Sequence, residues 1–146
     1  MTEKAEVGAK RTIVLVSCVK TKRSKPSRAE DLYTSALFKK ASTYAKRVGD
    51  AWYILSAKYG LVTPEQVIAP YELTLNKMSV YDRQYWAKRV VAELKLVLEP
   101  GDRVVFLAGV RYRENLLRPI RRLGCTIEIP MEGLAFGQQL QWLGDV

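Results

Sequence analysis

Apolar residues are distributed along this chain in two distinct ways. At Thr12-Ile13-Val14-Leu15-Val16, Trp52-Tyr53-Ile54-Leu55 and Val104-Val105-Phe106-Leu107 they are consecutive. A strand with one wet face would alternate, so consecutive runs predict strands covered on both faces, over about 12–17, 51–56 and 103–108. Thr126-Ile127-Glu128-Ile129 predicts a shorter fourth strand. Elsewhere apolar positions recur at intervals of three and four. Leu37, Phe38, Ala41, Tyr44 and Ala45 predict a helix with Thr34 or Ser35 as its N-cap, ended by Gly49-Asp50. Tyr85, Trp86, Val90, Ala92 or Leu94, and Val97 predict a longer helix over about 80–98, capped by Ser79 and closed by Pro100-Gly101. A basic helix is predicted over about 111–123, kinked at Pro119, and a last short one over about 137–143.

Polar stretches complete the outline. Residues 1–11 lack periodicity and are expected to form a disordered tail, leaving 12–146 as a single domain. Residues 19–31 are rich in Lys, Arg, Ser and Pro and predict an exposed, mobile basic loop, whereas the Pro-interrupted segment 63–78 has the apolar content of a packed one. Strands alternating with helices imply parallel pairing through right-handed crossovers. The expected fold class is therefore α/β, a three-layer sandwich around a mainly parallel sheet of about four strands.

The 146 residues suffice for one buried core. No apolar run approaches the roughly 18–20 residues that span a bilayer, and the first eleven residues lack the apolar core of a signal peptide. No membrane association and a cytoplasmic location are expected. Lys and Arg outnumber Asp and Glu by 24 to 15, a net charge of +9. That excess favours nucleic acid or a nucleotide as partner, the alternative being a merely solubilising surface. The absence of histidine excludes Ser-His-Asp and Cys-His mechanisms. The two cysteines form neither a CxxC pair nor a Cys/His cluster, so no metal or other cofactor is expected.

Candidate chemistry gathers where the strands end, because α/β ligand sites lie beyond the carboxyl ends of parallel strands. The first strand ends at Ser17 and Cys18, with Lys22 able to reach back; the second at Ser56, Lys58 and Tyr59; the third at Gly109, Arg111 and Tyr112. Gly109 starts a predicted helix, whose free N–H groups favour an anion, and Arg111 offers a bidentate grip on phosphate or carboxylate. An ordinary strand-to-helix turn is the plain alternative. Glu72 and Glu132 are the carboxylates near these ends, suited to stabilising a cationic sugar or orienting water, though a lone Glu is as readily a surface residue. Tyr33, Tyr59, Tyr71 and Tyr112 fall at segment ends, where they would stack a planar base or pack half-buried. Ser35, two residues after Tyr33, joins the binding set. Cys18 would line the pocket or, with its pKa depressed by Lys22, act as nucleophile.

Ser17-Cys18-x-x-x-Lys22, Asp31-Leu32-Tyr33-Thr34-Ser35, Trp52 through Leu61, Pro70-Tyr71-Glu72, Leu107-Ala108-Gly109 and Pro130-Met131-Glu132-Gly133-Leu134 together resemble an uncharacterised bacterial and phage domain family. The Leu55-Ser56-x-x-Tyr59-Gly60-Leu61-Val62 strand end with its later Pro-Tyr-Glu is similar, more distantly, to YaaA-like DNA-binding proteins of the oxidative stress response. It also resembles uracil-DNA-glycosylase-like domains of archaeal tRNA-guanine transglycosylase relatives. These resemblances imply a glycosylase-like α/β fold and a nucleic acid or modified-base ligand. The expectation that follows is an enzyme cleaving or transferring the N-glycosidic bond of a nucleobase. Lys22, Lys58 and Arg111 would hold phosphate, Tyr71 and Tyr112 would stack the base, and Glu72 or Glu132 would assist charge development. A non-catalytic nucleic-acid-binding module is the alternative, and a small-nucleotide enzyme a third reading.

Overall fold

Residues 13–16, apolar without interruption, can leave water on both faces only if strands flank them on either side and other elements cover the faces. A computed structural model, which describes residues 10–17 and 22–144, has this arrangement. In chain order the elements are β1 (Thr12–Ser17), β2 (Ser27–Arg28), α1 (Ala29–Leu32), α2 (Ala36–Val48), β3 (Ala51–Ser56), β4 (Gly60–Val62), β5 (Val67–Ile68), a 3-10 turn (Leu75–Lys77), α3 (Val80–Leu94), β6 (Arg103–Leu107), α4 (Val110–Arg113), α5 (Leu117–Arg122), β7 (Thr126–Glu128) and α6 (Phe136–Gly144). The fold is α/β, built on a five-stranded mixed sheet in the order β4-β3-β1-β6-β7. β3, β1, β6 and β7 run parallel, with Leu15 opposite Tyr53 on one side and Phe106 on the other. From β1 the chain passes to β3 on one side and later to β6 on the other. The β1/β6 boundary is thus where strand order reverses, and there the carboxyl ends open a crevice.

The sheet has five strands rather than about four because the residues after β3 turn back on themselves. Residues 57–59 form a turn and β4 pairs antiparallel with β3, Leu55 opposite Leu61. Gly60 makes the reversal possible: its φ is +78°, and a Cβ there would lie 2.6 Å from Glu93 Oε1. That carboxylate accepts the Leu61 N–H at 2.9 Å, so any side chain at position 60 would displace the group that holds the hairpin against α3.

Ser35 and Ser79 cap α2 and α3, accepting N–H bonds from Phe38 at 3.2 Å and Asp82 at 3.1 Å. The inward face of α3 differs from the expected one. Arg83, Trp86, Ala87, Val90 and Leu94 are buried, but Tyr85 is 78% exposed. Adjacent helical residues stand about 100° apart, so one member of the Tyr85-Trp86 pair had to leave the stripe, and Trp86 is retained by donating Nε1–H to the Ser56 carbonyl at 2.9 Å. The expected 111–123 helix is two helices, separated by a turn at 114–116. Pro119 lies in the first turn of α5, where a missing N–H costs nothing, so there is no kink within a continuous helix.

From Lys22 onward the backbone of the basic loop is tied into the fold, while residues 23–26 and Arg28 are exposed as expected. β2 pairs antiparallel with β5, Ala29 and Leu32 are fully buried, and Glu30 pairs with Arg28 at 2.6 Å and Lys46 at 3.0 Å. Arg11, placed in the expected tail, is tied into the fold. Arg11 grips Asp102 through two hydrogen bonds, of 3.0 and 2.6 Å, and donates a third to the Val97 carbonyl at 2.8 Å. Burial of Asp102 opposes its ionisation, but the Arg11 hydrogen bond, the Glu99 N–H and the Arg11 charge outweigh it and hold the carboxyl below its ordinary pKa. Cys125 is buried, and that burial pushes its thiol pKa up, as befits a small apolar side chain rather than a nucleophile. Among the described residues, no helix is long and apolar enough to cross a membrane.

Candidate functional site

Two polar clusters form at the carboxyl edge of the sheet. The first lies at the β1/β6 reversal, where a cleft of about 230 Å³ is lined by Ser17, Gly109, Arg113, Glu132 and Gln139 together with apolar residues including Leu37, Phe106 and Met131. Ser17 Oγ accepts the Gly109 N–H at 3.4 Å, which joins the ends of β1 and β6. Arg113 donates Nη1–H to the Ala108 carbonyl at 2.7 Å, and its Nη2 lies 3.7 Å from Glu132 Oε2. The arginine is therefore fastened to the strand end with one edge toward the carboxylate. The Arg113 side chain is 11% exposed and that of Glu132 is 65% exposed, a fixed cation beside an accessible anion. Gly133, at φ +83°, supplies the left-handed turn that follows Glu132.

The second cluster closes the end of β3. Ser17 stands opposite Leu55, one residue from Ser56, so the two clusters occupy neighbouring strand ends. Ser56 Oγ accepts the Tyr59 N–H at 3.0 Å and donates to Tyr71 Oη at 3.0 Å, and Tyr71 Oη shares a 2.6 Å hydrogen bond with Tyr33 Oη. The Lys22 ammonium lies 4.6 Å from the Tyr71 ring centroid and 5.9 Å from that of Tyr33, while Tyr59 meets Tyr71 edge-on at 5.7 Å. Ser56 is wholly buried, and its hydroxyl uses both its donor and an acceptor position within the fold. Among the described residues this end is a hydrogen-bonded network.

The residues singled out from sequence thus separate. Ser17, Gly109 and Glu132 share the cleft; Lys22, Tyr33, Ser56 and Tyr71 share the closed network. Lys58 is exposed beside the Tyr59 ring, and Glu72 is exposed next to Tyr71. Ser35 serves as the α2 cap. Cys18 lies outside the described residues.

Two expectations need correction. Tyr112, expected to stack a base, is 3% exposed; its ring meets Trp86 edge-on at 5.8 Å, and its hydroxyl accepts the Leu75 N–H at 3.3 Å. Gly109 does precede a helix, but α4 has a single turn and no sustained dipole to hold an anion, and the Gly109 N–H is directed at Ser17.

Arg113 and Gln139 are cleft residues that sequence reasoning missed. Arg113 was within view, two positions from Arg111. Two positions on a helix are about 200° of rotation, so only one arginine can face the cleft, and Arg111 instead stands exposed, 3.8 Å from Glu114. Gln139 carries no comparable signal, because α6 reaches the cleft only through the tertiary fold. Among the described residues, no three of Cys, Asp and Glu gather as a metal-binding group.

Comparison with known proteins gives a local match and a whole-chain one. A 44-residue stretch is 43% identical to the uncharacterised protein YfjM of Bacillus subtilis (strain 168), covering 30% of this chain and 29% of that protein. The match over residues 13–145 extends across nearly the whole chain, which belongs to the family of unknown function DUF6884.

Proposed function

We propose that this chain acts on nucleic acid or a nucleotide in the cytoplasm, taking one nucleobase with its sugar into the β1/β6 cleft and cleaving or transferring the N-glycosidic bond. The observation that carries the reading is the meeting of Glu132 and Arg113 beside Ser17 and Gly109 at the reversal of strand order. At about 230 Å³ the cleft falls below the roughly 300–1,000 Å³ of drug-sized pockets, a size for one nucleoside unit rather than a dinucleotide. In hydrolysis the C–N bond breaks with its electron pair leaving on the base, the sugar carbon becomes cationic, and water adds there while a proton passes to the base. The Glu132 carboxylate stabilises that cation or orients the water, and Arg113 faces the phosphate or the departing anionic base. A three-layer, glycosylase-like sandwich accords with this reading. α2 packs on β1 and against α6, whereas α3 meets β4 and, through Trp86, Tyr112 of α4.

The test is base release from DNA carrying uracil or modified bases and from free nucleosides. Wild type should release a base, and Glu132→Gln should lower the rate by about 10²-fold or more. No release across the panel, or equal rates for the two proteins, overturns the reading. The net charge of +9 favours the second reading, a non-catalytic nucleic-acid-binding module, which predicts salt-sensitive binding without product.

A further inference from the structure

The helices differ sharply in charge. α3 mixes Asp82 and Glu93 with Arg83, Lys88 and Arg89, whereas the 13 residues of α2 include Lys39, Lys40, Lys46 and Arg47 and no carboxylate. Lys46 is already paired with Glu30. The other three cations border a groove of about 370 Å³ between α2 and the end of α6, lined also by Thr43, Tyr44 and Leu143. Among the described residues no carboxylate pairs with Lys39, Lys40 or Arg47. Their only resolved ring contact is Arg47 above Tyr44, 5.5 Å from its centroid, and Trp142 supports that ring from the far helix at 5.1 Å. The groove is closely built at its end, where a Cβ on Gly144 would come within 3.3 Å of Lys40 Nζ.

Like charges held close together repel one another, and a polyanion would relieve that repulsion. We propose that the α2/α6 groove is a binding site for the phosphate backbone of nucleic acid, with Lys39, Lys40 and Arg47 as its phosphate contacts. The inference rests on nucleic acid being the partner of the proposed function, and it assigns that partner to a surface other than the cleft. Nucleic acid is favoured over an acidic peptide because peptide docking relies on apolar anchor pockets. Here the apolar lining is a tyrosine already covered by Arg47 and a buried leucine, so charge supplies the attraction. A backbone held by charge alone is read without regard to sequence.

The experiment is fluorescence anisotropy with labelled single-stranded and duplex DNA of about 20 nucleotides, at salt concentrations from about 50 to 200 mM. Lys39→Ala, Lys40→Ala and Arg47→Ala combined should weaken binding at least 10-fold and flatten the log-affinity against log-salt slope by about 2–3. Alanine favours helix at these exposed positions, and the unfolding transition checks that the fold is intact. Arg118→Ala, Arg121→Ala and Arg122→Ala on α5 remove equal charge and should change the slope little. Equal losses in both triple variants, no DNA binding by wild type, or tighter binding of a poly-glutamate peptide than of DNA each overturn the groove. Loss of base release in Glu132→Gln with DNA binding retained marks the cleft and groove as separate, so failure of one reading leaves the other standing.

Discussion

At the end of β3, polar groups answer one another; at the ends of β1 and β6, similar groups line open space. Ser56, Tyr71 and Tyr33 form a hydroxyl chain with Trp86 and Tyr59 bonded to the same serine, so the cost of burying them is met within the fold. Glu132 faces solvent beside a half-buried arginine. The two sets arise from adjacent strands and carry comparable residue types, yet one is bonded within the fold and the other leaves a carboxylate exposed at a cleft. A serine or tyrosine at a strand end is thus no indication of a site until its hydrogen-bond capacity has been accounted for.

The contrast can be broken most readily at its closed end. Tyr71→Ala should destabilise the protein by about 3–5 kcal/mol through the vacated ring volume, and Tyr71→Phe by about 1–3 kcal/mol through the hydrogen bonds that Ser56 and Tyr33 lose. Urea unfolding should show a lower midpoint with an unchanged slope, and a Tyr71→Phe protein as stable as wild type would mean that the network is not cohesive.

The amino edge of the sheet offers a scale for comparison. Asp102→Asn should cost about 2 kcal/mol by weakening its hold on Arg11. Because the folded carboxyl has a lowered pKa, its contribution is fully present above its unfolded value of 3.8 and fades as pH falls through the lower folded value. The variant's stability should therefore fall less steeply than wild type's in that acid range, as followed by thermal melts. Parallel curves would remove Asp102 from the acid response.

The smallest effect is expected in the open cleft, where Glu132→Gln should shift stability by no more than about 0.5 kcal/mol, since it alters a largely exposed group. A larger loss would show that the cleft, too, is held together by its charges.

How far the fold was legible depended on the range of the interactions involved. The apolar runs of β1, β3 and β6 mark strands as expected, although the first half of β3 is only half-buried, and the caps are Ser79 and, of the two candidates Thr34 and Ser35, Ser35, because an apolar run and the capping of a helix start are written within a few neighbouring residues. β2, β4 and β5 are two or three residues long, too short for any period to show, and exist because a distant segment pairs with them. The hairpin through Gly60 concealed itself differently: Ser56 to Gly60 has the composition of a ligand loop and the geometry of a turn.

The site followed the same rule at longer range. Charge excess, missing histidine and the placement of Ser17, Gly109 and Glu132 after apolar or strand segments could all be read along the chain. That Arg113 and not Arg111 faces the cleft, that Ser56 is spent on Tyr71, and that α6 completes a basic groove on α2 depended on helix phase, strand register and packing between segments about 100 residues apart in the chain. Residue type and local pattern give each group its chemical capacity, but the partners that consume or release that capacity come from remote segments, and only folding brings them within bonding distance.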